Sequence, residues 1–322
     1  MSSAINARSK AASPIDEAIF QKAGPETRRL KLLAWGDSGA GKTTLAAQFP
    51  NPALIDLEGG ADHYGDTFSF DVFKAATAEE VNAAVDWLLT HDHLYRTLVV
   101  DPITVYWDAL QRKWSDIFLR RNKGTKGHRL EYYDLQPRDW MTIKAEHREF
   151  LGKLIQLDMN VIVTARQKTL YGDQGFMRAV GETFDGEKSL PYLFDTILRL
   201  YRDDKGRFMA ENLKDRTNKL PQGHFEISYE ILQDRLGEDF LGRKAVPLQM
   251  AAPDQVESLR HHIAASGMEE GTVSQRLAAY GADTLEGLTQ DNAQKIIEKF
   301  EAVGSKSAQI QTASKEAPNA ED

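Results

Sequence analysis

The sequence predicts an α/β fold: a doubly wound, mostly parallel sheet followed by a small C-terminal helical bundle. Three observations lead there. Short apolar runs, Leu32-Leu33-Ala34-Trp35, Leu54-Ile55, Leu98-Val99-Val100 and Val161-Ile162-Val163, alternate with longer stretches of helical spacing, as parallel strands linked by helices do. A glycine loop joins the first run to the first helix. From residue 251 onward, apolar residues fall at helical spacing between breaks at Gly267, Gly271 and Gly281.

In chain order, residues 1–28 are rich in Ser, Ala and charge and contain Pro14 and Pro25, so they read as a flexible N-terminal arm. A large α/β core is expected over 29–243, a small helical domain over 244–303, and a disordered tail over 304–322, where apolar residues are few. Within the core, Pro52 to Asp56 reads as a short buried strand running into Leu57-Glu58-Gly59-Gly60. A helix with Val81, Ala84, Val85 and Leu88 on one face follows, then the apolar strand Thr97–Asp101, which ends in an acid. Residues 103–119 are predicted helical, with Trp107, Leu110, Trp114 and Phe118 as the apolar face.

Beyond that helix lies a basic loop, Arg120 to Arg129, without an acid. A helix over 139–157 and a strand over 160–165 come next, the strand ending at Arg166. From there to Pro191 the sequence reads as a long, irregular, glycine-bearing loop, of the kind that tends to be functional. Residues 194–201 and 207–213 form a hairpin across Asp203-Asp204-Lys205-Gly206, and the second strand continues into Lys214-Asp215-Arg216. A strand and a closing helix are expected over 225–241.

Composition narrows the function classes. The 322 residues carry a net charge of −8, which argues against a protein that coats nucleic acid with its whole surface but leaves room for a local basic groove. There is no Cys, so disulfides and thiolate metal sites are excluded. The sequence has neither a run of 18 apolar residues nor a signal-peptide core, so a cytoplasmic protein without a membrane span is expected.

The glycine loop carries the chemistry. Gly36-Asp37-Ser38-Gly39-Ala40-Gly41-Lys42-Thr43-Thr44 has the spacing G-x-x-x-x-G-K-[ST], between a strand and a helix. Its glycines let backbone N–H groups turn inward around phosphates at the positive end of a helix. Lys42 is then placed for the β- and γ-phosphates and the Thr43 hydroxyl for Mg2+. The cations Arg120, Arg121, Lys123, Lys126 and Arg129, together with Tyr171, Phe176 and Arg178, suit phosphate contact and base stacking.

Taken together, these motifs resemble the RecA-like P-loop ATPases, and most closely the shortened, phage-encoded relatives of Sak type that anneal single strands. The resemblance covers roughly residues 29–235. It implies that Glu58, in Leu54-Ile55-Asp56-Leu57-Glu58, is the general base that activates water. It implies that Asp101 is the Walker B acid for Mg2+; the family often places Ser or Thr next, where this chain has Pro102. Arg166 falls where RecA recombinases carry a Gln that senses the γ-phosphate; contact with phosphate and a place at the base of the DNA loop both remain open. Lys214 and Arg216 are similar to the K-x-R motif that lies near a neighbouring subunit's nucleotide.

The function implied is an ATP- and Mg2+-dependent protein that binds single-stranded DNA for recombination or annealing. It would be a homo-oligomer, ring or filament, that hydrolyses ATP with DNA stimulation in the host cytoplasm and works beside single-strand-binding or other recombination proteins. The alternatives are a ring helicase or loader with the same core, and a nucleotide-switched protein-binding module.

Overall fold

The apolar runs are strands, and they lie side by side. The computed structural model describes residues 29–121, 135–172, 178–245, 249–280 and 282–315. The chain runs β1 (Lys31–Gly36), α1 (Lys42–Ala46), β2 (Pro52–Asp56), β3 (Asp71–Lys74), α2 (Ala78–Thr90), β4 (Thr97–Asp101), α3 (Ile103–Arg121) and α4 (Pro137–Gln156). It continues with β5 (Asn160–Tyr171), β6 (Ala179–Phe184), α5 (Leu190–Leu193), β7 (Thr196–Arg202), β8 (Phe208–Asp215) and β9 (Gly223–Glu226). The helices α6 (Tyr229–Leu236), α7 (Glu238–Leu241), α8 (Pro253–Ser266), α9 (Glu270–Ala279) and α10 (Gln290–Lys315) complete it.

Strand order is β3-β2-β4-β5-β1-β7-β8-β9, with β6 attached to β5. The pairings from β3 through β7 are parallel, and those of β7 with β8 and β8 with β9 antiparallel. Successive side chains of a strand face opposite ways, so each run feeds two cores. Leu33 and Trp35 join Leu98, Val100, Val161 and Val163 on the face covered by α2, α3 and α4. Leu32 and Ala34 join Leu54, Val99, Ile162 and Leu198 on the face covered by α1, α6 and α7. This is the doubly wound α/β sheet that the sequence predicts. A third cluster, around Leu259, Leu277, Leu288 and Ile297, holds α8, α9 and α10 together.

Local chemistry explains the element ends. Thr77 caps α2 by accepting from Glu80 N at 3.2 Å while Glu80 Oε2 accepts from Thr77 N at 3.1 Å, a capping box. Lys31, buried at the start of β1, donates to the carbonyls of Leu154, Leu157 and Met159 at 2.9, 2.7 and 3.1 Å. It thereby gives partners to carbonyls at the C-terminal end of α4.

Two expectations are corrected. The segment 166–191 is not an irregular loop: β5 runs on to Tyr171 and pairs antiparallel with β6, Gln167 opposite Phe184 and Thr169 opposite Glu182. Thr169 and Tyr171 are good strand formers, and Gly181 lies within β6, opposite Leu170. Arg120 and Arg121 belong to the last turn of α3 rather than to a loop. The backbone of α10 is helical to Lys315. The unforeseen elements include the short strand β3, the short helix α5 and a 3-10 turn over Ala61–Tyr64.

Asn160 ties the sheet to the C-terminal end of the core. It is fully buried, its Oδ1 accepts from Leu30 N at 3.1 Å, and its Nδ2 donates to Leu241 O at 2.7 Å. Asn160→Ala leaves two buried backbone groups without partners, at about 1–3 kcal/mol each. Urea denaturation of that variant should show a loss of about 2–4 kcal/mol; a loss below about 1 kcal/mol would mean that neither bond matters.

Candidate functional site

The carboxyl ends of the parallel strands share one edge of the sheet. β2, β3, β4 and β5 lie on one side of β1 and β7 on the other, so the chain reverses its winding at β1. In open α/β sheets ligands bind outside the strand ends at such a reversal. The glycine loop sits there, between β1 and α1. Gly39 and Gly41 hold φ of 75° and 87°, left-handed values that a side chain resists. Lys42 Nζ donates to Gly36 O at 2.9 Å and Asp37 O at 2.8 Å, and so lies across the loop mouth. Burial pushes the Lys42 ammonium below its usual pKa; the carboxylates of Asp101, Glu58 and Asp37 oppose the shift and Arg166 adds to it.

Asp101, at the end of β4, meets the loop directly. Thr43 Oγ1 donates to its Oδ2 at 2.6 Å, and Thr164 Oγ1, from β5, donates to its Oδ1. Burial pushes the Asp101 carboxyl up, while the Thr164 and Thr43 hydroxyls pull it down. Pro102 supplies no hydroxyl, and Thr164 provides one from the neighbouring strand. Among the described residues no group of three His, Cys, Asp or Glu side chains could hold a metal alone. Thr43 and Asp101 nonetheless fit Mg2+, which prefers hard oxygen donors, takes one or two from protein, and fills the rest with phosphate and water.

Glu58 follows β2, whose last residue Asp56 pairs in register with Asp101. The Asp56 carboxylate is buried and accepts from Glu58 N at 3.0 Å, Gly59 N at 2.8 Å and Ala61 N at 2.9 Å. That fixes the turn carrying Glu58. Arg166, in register with Gly36 on β1, donates Nε to Glu58 Oε1 at 2.7 Å, and its Nη2 lies 2.5 Å from the same oxygen. Its backbone is held by Thr104, whose hydroxyl accepts from Arg166 N at 3.0 Å and donates to Asp185 O at 2.6 Å.

The structure therefore gathers Gly36 to Thr44, Glu58, Asp101 and Arg166 at one end of the sheet. It does not bring Lys214 or Arg216 there. Lys214 pairs with Ile197, and Ile197 with Leu33, toward the opposite end of β1. Arg216 is ion-paired with Asp195 at 3.0 Å, and Asp195 N bonds to Lys31 O, five residues before Gly36. At about 3.3 Å per strand residue that is roughly 16 Å from the loop. Neither cation reaches its own subunit's phosphate site.

The predicted DNA contacts divide similarly. Tyr171 is 56% exposed at the end of β5, beside Leu170 and Val180, and Arg178 is exposed at the entry to β6. Arg120 lies 4.0 Å from Asp116 on α3. Lys123, Lys126, Arg129 and Phe176 lie outside the described residues, as does the side chain of Arg121.

Some residues at the site had no signal in the sequence. Arg202, at the end of β7, donates Nε to Gly39 O at 3.0 Å and stacks its guanidinium 4.2 Å from the Phe208 ring centroid. Phe208 in turn packs so closely on Gly41 that a Cβ there would collide with the ring. Both depend on β7 lying beside β1, which no local pattern reveals. Thr164 did leave a faint trace, as the one hydroxyl in the apolar run from Val161 to Ala165.

Residues 28–220 match the family described as the AAA domain. Among solved structures the chain is similar to a RadB recombinase, with 21% identity over 62% of this chain and 88% of that one and a TM-score of 0.37. No curated protein matches the sequence.

Asp101 also makes a pH-dependent prediction. Its folded pKa is raised, so ionisation opposes folding: the stability present below the unfolded carboxylate value, about 4, falls as pH rises through the folded value. Asp101→Asn should therefore raise the melting temperature of the nucleotide-free protein at neutral pH, with the gain shrinking as pH is lowered toward about 4. It should also abolish any shift produced by Mg2+ and ATP. A variant that melts below wild type at every pH would mean that the bonds from Thr43 and Thr164 to the ionised carboxylate outweigh the cost of burying its charge.

Proposed function

The chain belongs to the AAA domain family, and from that premise we propose that it hydrolyses ATP with Mg2+ and binds single-stranded DNA as an oligomer, in recombination or strand annealing of the phage kind. The observation that supports hydrolysis most is the convergence of Lys42, Thr43, Asp101 and Glu58 on one end of the sheet. Lys42 has to leave Gly36 O and Asp37 O to meet phosphate oxygens, which satisfy the ammonium better than two carbonyls do. Thr43 and Asp101 would hold Mg2+, which when bound would neutralise charge on the β- and γ-phosphates. Glu58, close enough for its charge to act on Lys42, is the proton acceptor for water.

DNA binding is supported by the β5–β6 hairpin. It leaves the sheet beyond Arg166 and carries exposed Leu170, Tyr171 and Val180 with Lys168 and Arg178 beside them, apolar stacking surface next to cations. Oligomerisation is supported by the placement of Lys214 and Arg216. Cations that cannot reach the phosphates of their own subunit can face those of a neighbour, where an Arg fork contributes about 10³ to 10⁵ in rate.

ATP turnover with and without single-stranded DNA tests the reading. Wild type should turn over ATP, faster with DNA, and Lys42→Ala should lose turnover while keeping its fold. Tyr171→Ala should weaken DNA binding by about 1–3 kcal/mol with the salt dependence unchanged. Replacing Lys168 and Arg178 should instead flatten the slope of log affinity against log salt by about 0.7 for each phosphate no longer neutralised. Full turnover in Lys42→Ala would end the ATPase reading, and unchanged affinity in both hairpin variants would end the DNA reading.

A further inference from the structure

The C-terminal helices share the buried residues Leu259, Leu277, Leu288 and Ile297, yet on one side they enclose a groove of about 560 Å³ instead of closing on each other. Its walls include Ile263, Val273, Tyr280, Leu285, Ile296 and Phe300, none of them fully buried. The charged residues of the lining are Arg276 and Lys299. Residues 251–303 carry nine Asp or Glu against four Lys or Arg, so a lining with cations and no acid runs against the charge of the helices around it. Arg260 is ion-paired with Glu286. Among the described residues Arg276 and Lys299 have no acidic partner, and Lys299 Nζ donates to the Tyr280 hydroxyl at 2.8 Å. Such a groove fits an apolar helix face with acids beside it.

One stretch of this chain, outside the described residues, has that chemistry. Ser13-Pro14-Ile15-Asp16 sets a capping residue before a Pro and an acid three residues after the cap, and Gly24-Pro25 gives a stop signal. Between them Ile15, Ala18, Ile19 and Ala23 recur at helical spacing, with Asp16 and Glu17 next to Ile15. So short a helix is marginal alone in water and orders on a partner. The acidic tail over 316–322 has nothing larger than Ala and Pro to fill a groove. The N-terminal arm also starts from the right place. Arg29 Nη2 donates to Lys244 O at 3.2 Å, so the arm and the link to the C-terminal helices leave the core side by side. From Ala23 to Arg29 an extended chain spans about 20 Å, close to the roughly 21 Å length of the 14-residue α8.

We propose that residues 14–23 of the arm seat as a helix in the groove between α8, α9 and α10 of the same chain, with Ile15 and Ile19 among the apolar walls and Asp16 and Glu17 facing Arg276 and Lys299. A short tether gives the segment an effective concentration on the order of 1 mM, so a modest fit is enough to fill the groove. The seated arm bridges the core, where Arg29 roots it, and the C-terminal helices.

A fluorescent peptide of residues 12–25, titrated with the full-length chain, tests the seating. It should bind a chain whose own arm is disabled by Ile15→Asp and Ile19→Asp with a Kd below about 1 mM, and bind wild type about twofold or more weakly because the resident arm competes. Arg276 and Lys299 are exposed, so their reversal is compatible with the fold. Arg276→Glu with Lys299→Glu in the disabled chain should weaken the peptide about tenfold, as two exposed ion pairs become repulsions. A peptide carrying Asp16→Lys and Glu17→Lys should recover that loss, which also shows that the reversed groove is folded. The chain has no Cys, so Ile19→Cys with Ser266→Cys, an exposed position of the lining, reports the seating as a disulfide within one chain in dilute protein. Absent peptide binding, equal affinity for wild type and the disabled chain, or no recovery by the reversed peptide would overturn the proposal. Cross-links that form only between chains, and rise with concentration, would give the groove to a second copy's arm and overturn the seating within one chain.

Discussion

One carboxylate sets the geometry of the functional end. Asp101 receives a hydroxyl from Thr43, at the start of the helix after the glycine loop, and another from Thr164, on the strand lying between β4 and β1. Both bonds form only if β4, β5 and β1 keep their register, Val100 beside Val163 and Val163 beside Leu33. The carboxylate is costly to bury, and the hydroxyls offset part of that cost. A divalent cation would offset the remainder, so an arrangement that strains the empty protein is preorganised for the loaded one.

Which parts of this could be read in the sequence follows from the range of the interactions. The glycine loop was legible because its spacing is local, and so were Glu58 and Asp101, each following an apolar run that had to be a strand. Thr164 and Arg202 reach the site only through strand order, and a linear sequence does not state which strands are neighbours. The β5–β6 hairpin was misread for a different reason. Its glycines outweighed Thr169, Leu170 and Tyr171 in a reading by composition, whereas in the fold the pairing of Gln167 with Phe184 and Thr169 with Glu182 decides the structure. Lys214 and Arg216 were legible as a motif, but the sequence could not place them at the opposite end of the sheet from the loop.

That separation gives the sheet two chemically different ends. At one, the loop, Asp101, Glu58 and Arg166 lie together, with the exposed hairpin rising from the same strand that carries Arg166. At the other, Arg216 is paired with Asp195 and Lys214 Nζ donates to Pro191 O at 2.8 Å. β5 runs the length between them, buried from Asn160 to Ala165 and more exposed from Arg166 onward. The change from apolar to polar along that one strand marks where core ends and site begins.

The most direct test of the nucleotide end is a structure determined with ADP, Mg2+ and aluminium fluoride. The expected result has the fluoride against Lys42, the metal on the Thr43 hydroxyl and beside Asp101, and Glu58 facing the water on the far side of the fluoride. Nucleotide bound away from the glycine loop, or a metal without Thr43 and Asp101 around it, would contradict the assignment.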